Sequence, residues 1–264
     1  MPEGRERLLF DEHNRVELRA LAEAGAVVVM PVGATEQHGP HLPVGTDTWG
    51  VEWVARAAAA RVASTGGARV LVAPTLPFGS SPHHLPFGGT ISIPTTTYFE
   101  LLVAILESLV TDGFRRIFLV NGHGGNHELI QVAARDVALR HPVVIAAGSW
   151  WNIAWDVLVE AGAGDVGRLP GHAGGFETSL VMAMRPDAPL GEFPAARVVN
   201  AAPADPRRFS PLVRTEIHDF WQSVDGYSDA PTNASREAGE RFLEVSVAEL
   251  ARRIGELARS PIPT

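Results

Sequence analysis

Four short apolar runs set the frame of this chain. Residues 26–32, 68–73, 116–120 and 142–147 are rich in Val, Ile, Leu and Ala and read as strands. Helical patterns separate them. Asn14 caps a helix reaching Ala22, and Asp47 or Thr48 caps one running to about Ala63. Thr96 or Thr97 opens a third through Val110, closed near Gly113. Residues 128–139, 176–184 and 237–258 continue the pattern. Strands that alternate with helices need crossover connections. The expected fold is therefore α/β, with a mostly parallel central sheet covered on both faces. Residues 186–233, rich in Pro, Ala, Arg and Asp, have weak periodicity and read as a surface excursion or an oligomer contact. Neither a repeat nor a boundary interrupts the chain, so residues 1–264 are expected to form one domain.

In a parallel sheet the ligand site lies beyond the carboxyl ends of the strands. The unusual polar segments fall there. Glu36-Gln37-His38-Gly39-Pro40-His41-Leu42-Pro43-Val44-Gly45-Thr46-Asp47 follows the first run. Asn121-Gly122-His123-Gly124-Gly125-Asn126 follows the third, and Ser149-Trp150-Trp151-Asn152 the fourth. A further segment, Gly171-His172-Ala173-Gly174-Gly175-Phe176-Glu177, precedes a helix.

Composition removes several chemistries. There is no cysteine, which excludes thiol nucleophiles, Cys-ligated clusters and disulfides. There is no lysine either, because all 22 basic residues are Arg. Schiff-base catalysis and a Walker-type lysine are thereby excluded. The net charge of −8 and the lack of a basic cluster argue against nucleic acid as a partner. No apolar stretch is long enough to span a membrane, and the charged residues 1–7 lack a signal-peptide core, so a cytoplasmic location is expected.

Seven of the ten histidines, His38, His41, His83, His84, His123, His127 and His172, fall in or beside four polar segments containing Gly or Pro. A lone loop histidine usually bonds a backbone carbonyl, but this grouping with Glu36, Asp47 and Glu177 suits a hard or borderline metal. Glu36 and His38, two apart, face the same side of an extended segment. Asp47 is placed either to bridge two cations or to cap the following helix. His123 on its Gly-rich turn fits a metal ligand or a general base. Its spacing matches neither the dinucleotide nor the P-loop fingerprint. His172 suits proton transfer. Glu177 suits metal binding or activation of water, or the first turn of a helix. His41, Ser80, Trp150 and Trp151 are candidate substrate contacts, and one of the two adjacent Trp side chains is expected to line the pocket.

Taken in order, these motifs resemble the creatininase (creatinine amidohydrolase) family. The likeness rests on Thr35-Glu36-Gln37-His38-Gly39-Pro40-His41 with Thr46-Asp47, and on His84-Leu85-Pro86-Phe87 with Gly89-Thr90. It continues through Asn121-Gly122-His123-Gly124-Gly125-Asn126 and His172-Ala173-Gly174 with Glu177-Thr178-Ser179, covering residues 26–184. The resemblance implies a three-layer α/β/α sandwich and hydrolysis of a non-peptide or cyclic amide C–N bond in a small molecule. It also implies two divalent ions per subunit, Zn²⁺ or Mn²⁺ with Fe²⁺ as a further option, and a homo-oligomer, hexameric in the family. Carried over by residue, Glu36, Asp47 and His123 hold one ion, and His38 with the bridging Asp47 holds the second. Creatininases complete the second site with a glutamate two positions after the motif histidine. That position is Gly125 here, which leaves Glu177 as the candidate ligand and His172 as the proton carrier. Members with the Gly-Gly form include formamide deformylases and the mycofactocin peptidase. Two rival readings stay open: a metal-free serine hydrolase using Ser80, Ser81 or Ser179, without a Gly-x-Ser-x-Gly elbow, and a non-catalytic metal- or ligand-binding protein.

Overall fold

The structure, a computed structural model, describes residues 7–66, 68–194 and 217–263. Its elements in chain order are α1 (Arg15–Glu23), β1 (Val27–Val32), α2 (Thr46–Ser64), β2 (Val70–Val72), α3 (Thr95–Thr111), β3 (Arg116–Asn121), α4 (His127–Ala138) and β4 (Val144–Ser149). Then follow three short helices, α5 (Trp150–Ile153), α6 (Trp155–Glu160) and α7 (Ala163–Val166), and finally α8 (Gly175–Met184), α9 (Phe220–Ser223) and α10 (Arg236–Arg259). One 3₁₀ segment, Pro82–Phe87, lies between β2 and α3.

The four strands form one all-parallel sheet in the order β2-β1-β3-β4. Alternation along each strand feeds two cores. Val27 and Val29 of β1, with Phe118 and Val120 of β3, pack under α2, α8 and α10. Val28, Met30 and Val32, with Ile117 and Leu119, pack under α3 and α4. Both faces are covered, so the strands read as nearly continuous apolar runs. Helix α10 carries a stripe of ten buried residues from Ala238 to Leu257 and is capped by Ser235, whose hydroxyl accepts the Ala238 N–H at 3.1 Å.

Register places the site. Val32 pairs with Asn121, and Asn121 pairs with Ser149. The loops after β1, β3 and β4 therefore leave from one edge. β1 lies between β2 and β3, so successive connections depart to opposite sides and open a crevice at that edge.

The boundaries differ from expectation in places. Strand β2 is limited to three residues. β4 starts two residues later than its apolar run and reaches Ser149. Asn14 caps α1 as expected, through a reciprocal box with Glu17. Asp47 is not a cap: α2 begins at Thr46 behind Gly45, and Asp47 turns inward from the first turn. Helix α3 starts at Thr95 behind Pro94, with no side-chain cap from its threonines. Of the segment 186–233, residues 195–216 lie outside the described residues, and the rest is irregular apart from α9.

Candidate metal centre

Four loops meet at the crevice. Glu36 and His38 come from the loop after β1, Asp47 from the start of α2, His123 from the turn after β3, His172 from the approach to α8 and Glu177 from its first turn. Glu36, His38, Asp47, His123 and His172 are all buried, and the Glu177 side chain is 14% exposed.

Asp47 ties the group together. Its Oδ1 lies 3.1 Å from His38 Nε2, and its Oδ2 lies 3.0 Å from His123 Nδ1. His123 Nδ1 also lies 3.2 Å from Glu36 Oε1, and His38 Nε2 lies 3.8 Å from Glu177 Oε2. Each imidazole nitrogen thus faces two carboxylates, with Asp47 common to both. Donor atoms of Glu36, His38 and Asp47 lie within 4.8 Å of one another, as do those of His38, His172 and Glu177. Glu36 Oε2 is buried and has no hydrogen-bond partner among the described residues. A buried, orphaned carboxylate oxygen among imidazoles fits a divalent cation.

The charges follow from burial opposed by neighbours. Burial works to protonate Glu36, but His123, His84 and His172 hold its carboxyl well below the usual range. Burial works to deprotonate His38, but Asp47, Glu177 and Glu36 outweigh it and push it up to about 10. His123 is raised well above its ordinary value by Glu36 and Asp47 against the same opposing burial. Burial lifts Glu177 to about 8, with Asp47 adding and His38 opposing. Burial, then His38 and His84, hold His172 well below its ordinary value, so its ring is neutral.

Positioning comes from residues the sequence did not single out. The two asparagines of the 121–126 turn are its scaffold. Asn121 accepts the His123 N–H at 3.0 Å and donates to Ser149 Oγ at 2.8 Å. Asn126 accepts the Ser80 N–H and donates to the Gly33 carbonyl, both at 3.0 Å. The Gln37 amide nitrogen reaches the Gly226 carbonyl at 2.7 Å and His84 Nδ1 at 2.8 Å. Their place beside the site motifs was the available signal, but amides carry no charge pattern to betray them. His83, His84 and His172 carry the Trp221 ring, with centroids 5.8, 4.9 and 5.2 Å away.

The candidate substrate contacts fall differently. Trp150 and Trp151 both line a hollow of about 300 Å³, counted with its open mouth, beside Asp47 and Glu177. Trp150 also stacks on Phe176 at 5.9 Å. Both tryptophans, rather than one, border this hollow, where α5 turns the chain helical. Ser80 does not present its hydroxyl to the cluster. Its Oγ bonds Thr95 Oγ1, and its carbonyl oxygen lies 3.1 Å from His123 Nε2. His41 reaches Thr178 Oγ1 at 3.0 Å, beside the cluster rather than in it. His127 bonds Ser149 and Gln131.

Glycine is required at position 125. A Cβ there would lie 2.2 Å from the Ser80 carbonyl oxygen and 2.6 Å from His123 Nε2. No side chain fits that place without displacing His123.

The sequence profile of the creatininase family, described as creatinine amidohydrolase, matches residues 11–254. The chain belongs to the creatininase family. A mycofactocin precursor peptide peptidase of Mycolicibacterium smegmatis is 34% identical over 244 residues, spanning 89% of this chain and 87% of its own length. A creatinine amidohydrolase of Pseudomonas putida is 33% identical over 258 residues, spanning 91% of this chain and 93% of its own. The solved structure of a creatininase point mutant superposes with a TM-score of 0.76 at 28% identity, covering 96% of this chain and all of its own. The chain is a creatininase-family amidohydrolase, a hydrolase of C–N bonds with the family's α/β fold. No helix among the described residues is long and apolar enough to cross a membrane.

Proposed function

We propose that this creatininase-family protein hydrolyses an amide C–N bond at a two-ion centre. Glu36, Asp47 and His123 would hold one ion, and His38, Asp47 and Glu177 the other. The observation that carries the reading is Asp47, whose two oxygens engage two different histidines at 3.1 and 3.0 Å. A divalent pair, when bound, polarises the amide carbonyl and makes water a nucleophile near neutral pH. Zn²⁺ and Mn²⁺ are the favoured ions, given the mixed imidazole and carboxylate donors. Solved creatininases described as a manganese form and a Zn–Zn type support that choice.

His172 is the proton carrier. Its Nε2 lies 2.9 Å from the Gln37 carbonyl oxygen and 3.2 Å from the Gln37 amide nitrogen, whose two protons go to the nearer Gly226 carbonyl and His84 Nδ1, so Nε2 is the donor to the carbonyl, while Nδ1 lies 3.7 Å from Glu36 Oε1. A neutral ring with Nδ1 toward the cluster can accept a proton there and return it to the departing nitrogen. Glu177 supplies the carboxylate for which Gly125 has no room. The substrate is a small amide. The peptidase and creatinine relatives match equally well, so identity does not choose between peptide and cyclic amide. The family likeness extends the proposal to a homo-oligomer, hexameric, and exposed Phe78, Leu85 and Ile91 offer apolar surface for subunit contact.

A serine-hydrolase reading has one observation in its favour. Ser81 Oγ lies 3.1 Å from His123 Nε2, and His123 Nδ1 lies 3.0 Å from Asp47. That is the order of a triad. It fails on geometry, because His123 Nε2 also lies 3.1 Å from the Ser80 carbonyl oxygen, an acceptor that makes this nitrogen a donor and leaves no lone pair toward Ser81. The deciding experiment measures hydrolysis of creatinine, N-formyl amines and short peptides before and after chelation. Activity on at least one class should vanish with the ions and return with Zn²⁺ or Mn²⁺. Full activity in chelated protein would sink the proposal.

A further inference from the structure

The glycines around His172 accommodate a carboxylate from far along the chain. Asp229 Oδ2 accepts the Arg168 and Gly175 N–H groups, each at 3.2 Å. Its Oδ1 accepts the Ser228 hydroxyl at 2.5 Å. A Cβ on Gly174 would lie 2.2 Å from Asp229 Oδ1, and one on Gly167 2.2 Å from Oδ2. The Gly-rich segment is therefore moulded around Asp229. Among the described residues, the hydrogen bonds of this carboxylate end on Arg168, Gly175 and Ser228.

Ser228 in turn clasps the main chain of His172. The Ser228 N–H donates to the His172 carbonyl oxygen at 2.9 Å, and the His172 N–H donates to Ser228 Oγ at 2.7 Å. Both peptide groups of the proton carrier are thus held by one residue, whose own hydroxyl is aimed by Asp229. The next residue explains the need. Ala173 is fully buried at φ +52°, a left-handed conformation that a residue with a Cβ disfavours. Such a conformation persists only where its surroundings over-determine it. Glu177 accepts the Ala173 N–H on one side, and the Ser228–Asp229 pair holds the other.

We propose that Ser228 and Asp229 are positioning residues for His172. They hold its ring between Gln37 and Glu36 against the strain at Ala173. This rests on the reading of His172 as proton carrier.

The test uses zinc-loaded full-length protein carrying Asp229→Asn, Ser228→Ala, and Asp229→Asn combined with Ala173→Gly. Asn keeps the shape but offers an amide where an acceptor is needed. With the amide from the panel that the unaltered protein hydrolyses, both single variants should lose about 10- to 100-fold in kcat, with KM within about twofold and zinc content unchanged. Glycine takes φ +52° without strain, so Ala173→Gly should return part of the lost kcat, at least about threefold. Crystals of Asp229→Asn should show the His172 ring displaced from the Gln37 carbonyl. The proposal is overturned if kcat stays within about twofold, if zinc is lost in step with activity, or if Ala173→Gly restores nothing. Should the unaltered protein hydrolyse no amide, the functional reading fails. The crystal comparison still decides this proposal, because an undisplaced His172 ring in Asp229→Asn overturns it. If Asp229→Asn does not fold, Ser228→Ala carries the same comparison.

Discussion

Glu177 takes two roles from one position. In the first turn of α8 it accepts the Ala173 N–H, from the residue just ahead of the helix cap Gly174. Its Oε2 also lies 3.8 Å from His38 Nε2, within the reach of a shared cation. Two acids, Asp47 and Glu177, therefore face one imidazole, and the Asp47 charge, joined by that of Glu177 once it ionises near pH 8, keeps His38 protonated against burial. A divalent ion that takes His38 must displace that proton. Glu177→Gln tests the assignment. Gln keeps the volume and an acceptor for Ala173, so the melting temperature should move by only a few degrees. Zinc per chain should fall from two toward one by elemental analysis. Activity should fall by more than about 100-fold, since even outer partners of metal ligands cost 10- to 100-fold. Two zinc ions per chain in Glu177→Gln would remove Glu177 from the ligand set.

At the scale of elements, the turn after β3 is where geometry is tightest. Gly124 and Gly125 are adjacent and look equivalent in sequence. A Cβ on Gly124 meets nothing within 4 Å, whereas one on Gly125 strikes the Ser80 carbonyl and the His123 ring. Gly125→Ala should therefore lower zinc content and cut activity more than about tenfold, because a misplaced ligand costs at least as much as a lost outer partner. Gly124→Ala should leave both within about twofold. Equal effects of the two substitutions, by elemental analysis and initial rates, would show that the contact at Gly125 does not govern the turn. This contrast marks what sequence could reveal. The strands and the long helices were legible because their apolar periodicity is local, and the Glu36, His38, Asp47 and His123 set because charged groups cluster at strand exits. The inward turn of Asp47 was ambiguous, since Asp is equally at home as a cap. The Asp229 contacts with the 167–175 segment join residues more than fifty positions apart and leave only a scatter of glycines as their trace. The facing of Trp150 and Trp151 depended on a short helix that two aromatic residues do not announce.

Across the whole molecule, composition isolates the buried cluster in an alkaline titration. The chain has no cysteine and no lysine, and its two tyrosines, Tyr98 and Tyr227, are buried. Arginine stays charged throughout. Few groups other than the cluster therefore change charge between pH 7 and 10. His38 in the folded protein holds its proton up to about 10, above the ordinary 6.5, so its contribution to stability is complete below pH 6.5 and lost as pH rises through 10. Glu177 acts in the same direction between 4.5 and about 8, because the folded protein again binds the proton more tightly than the unfolded chain. His84, held down to about 3 by burial, and His172 act oppositely, but they finish titrating by about pH 6.5 in the unfolded chain. Chelator-treated protein should accordingly lose thermal stability from pH 7 to 10. Zinc-loaded protein should lose less, since the ion replaces the proton on His38 and binds more tightly as protons become scarce. Thermal melts at pH 7, 8.5 and 10 with and without chelator make the comparison. His123, also raised well above its ordinary value, acts in the same direction as His38, so parallel curves for the two forms would mean that neither histidine is a group a cation takes. A rise in the chelated curve would mean that the carboxylates do not hold His38 protonated.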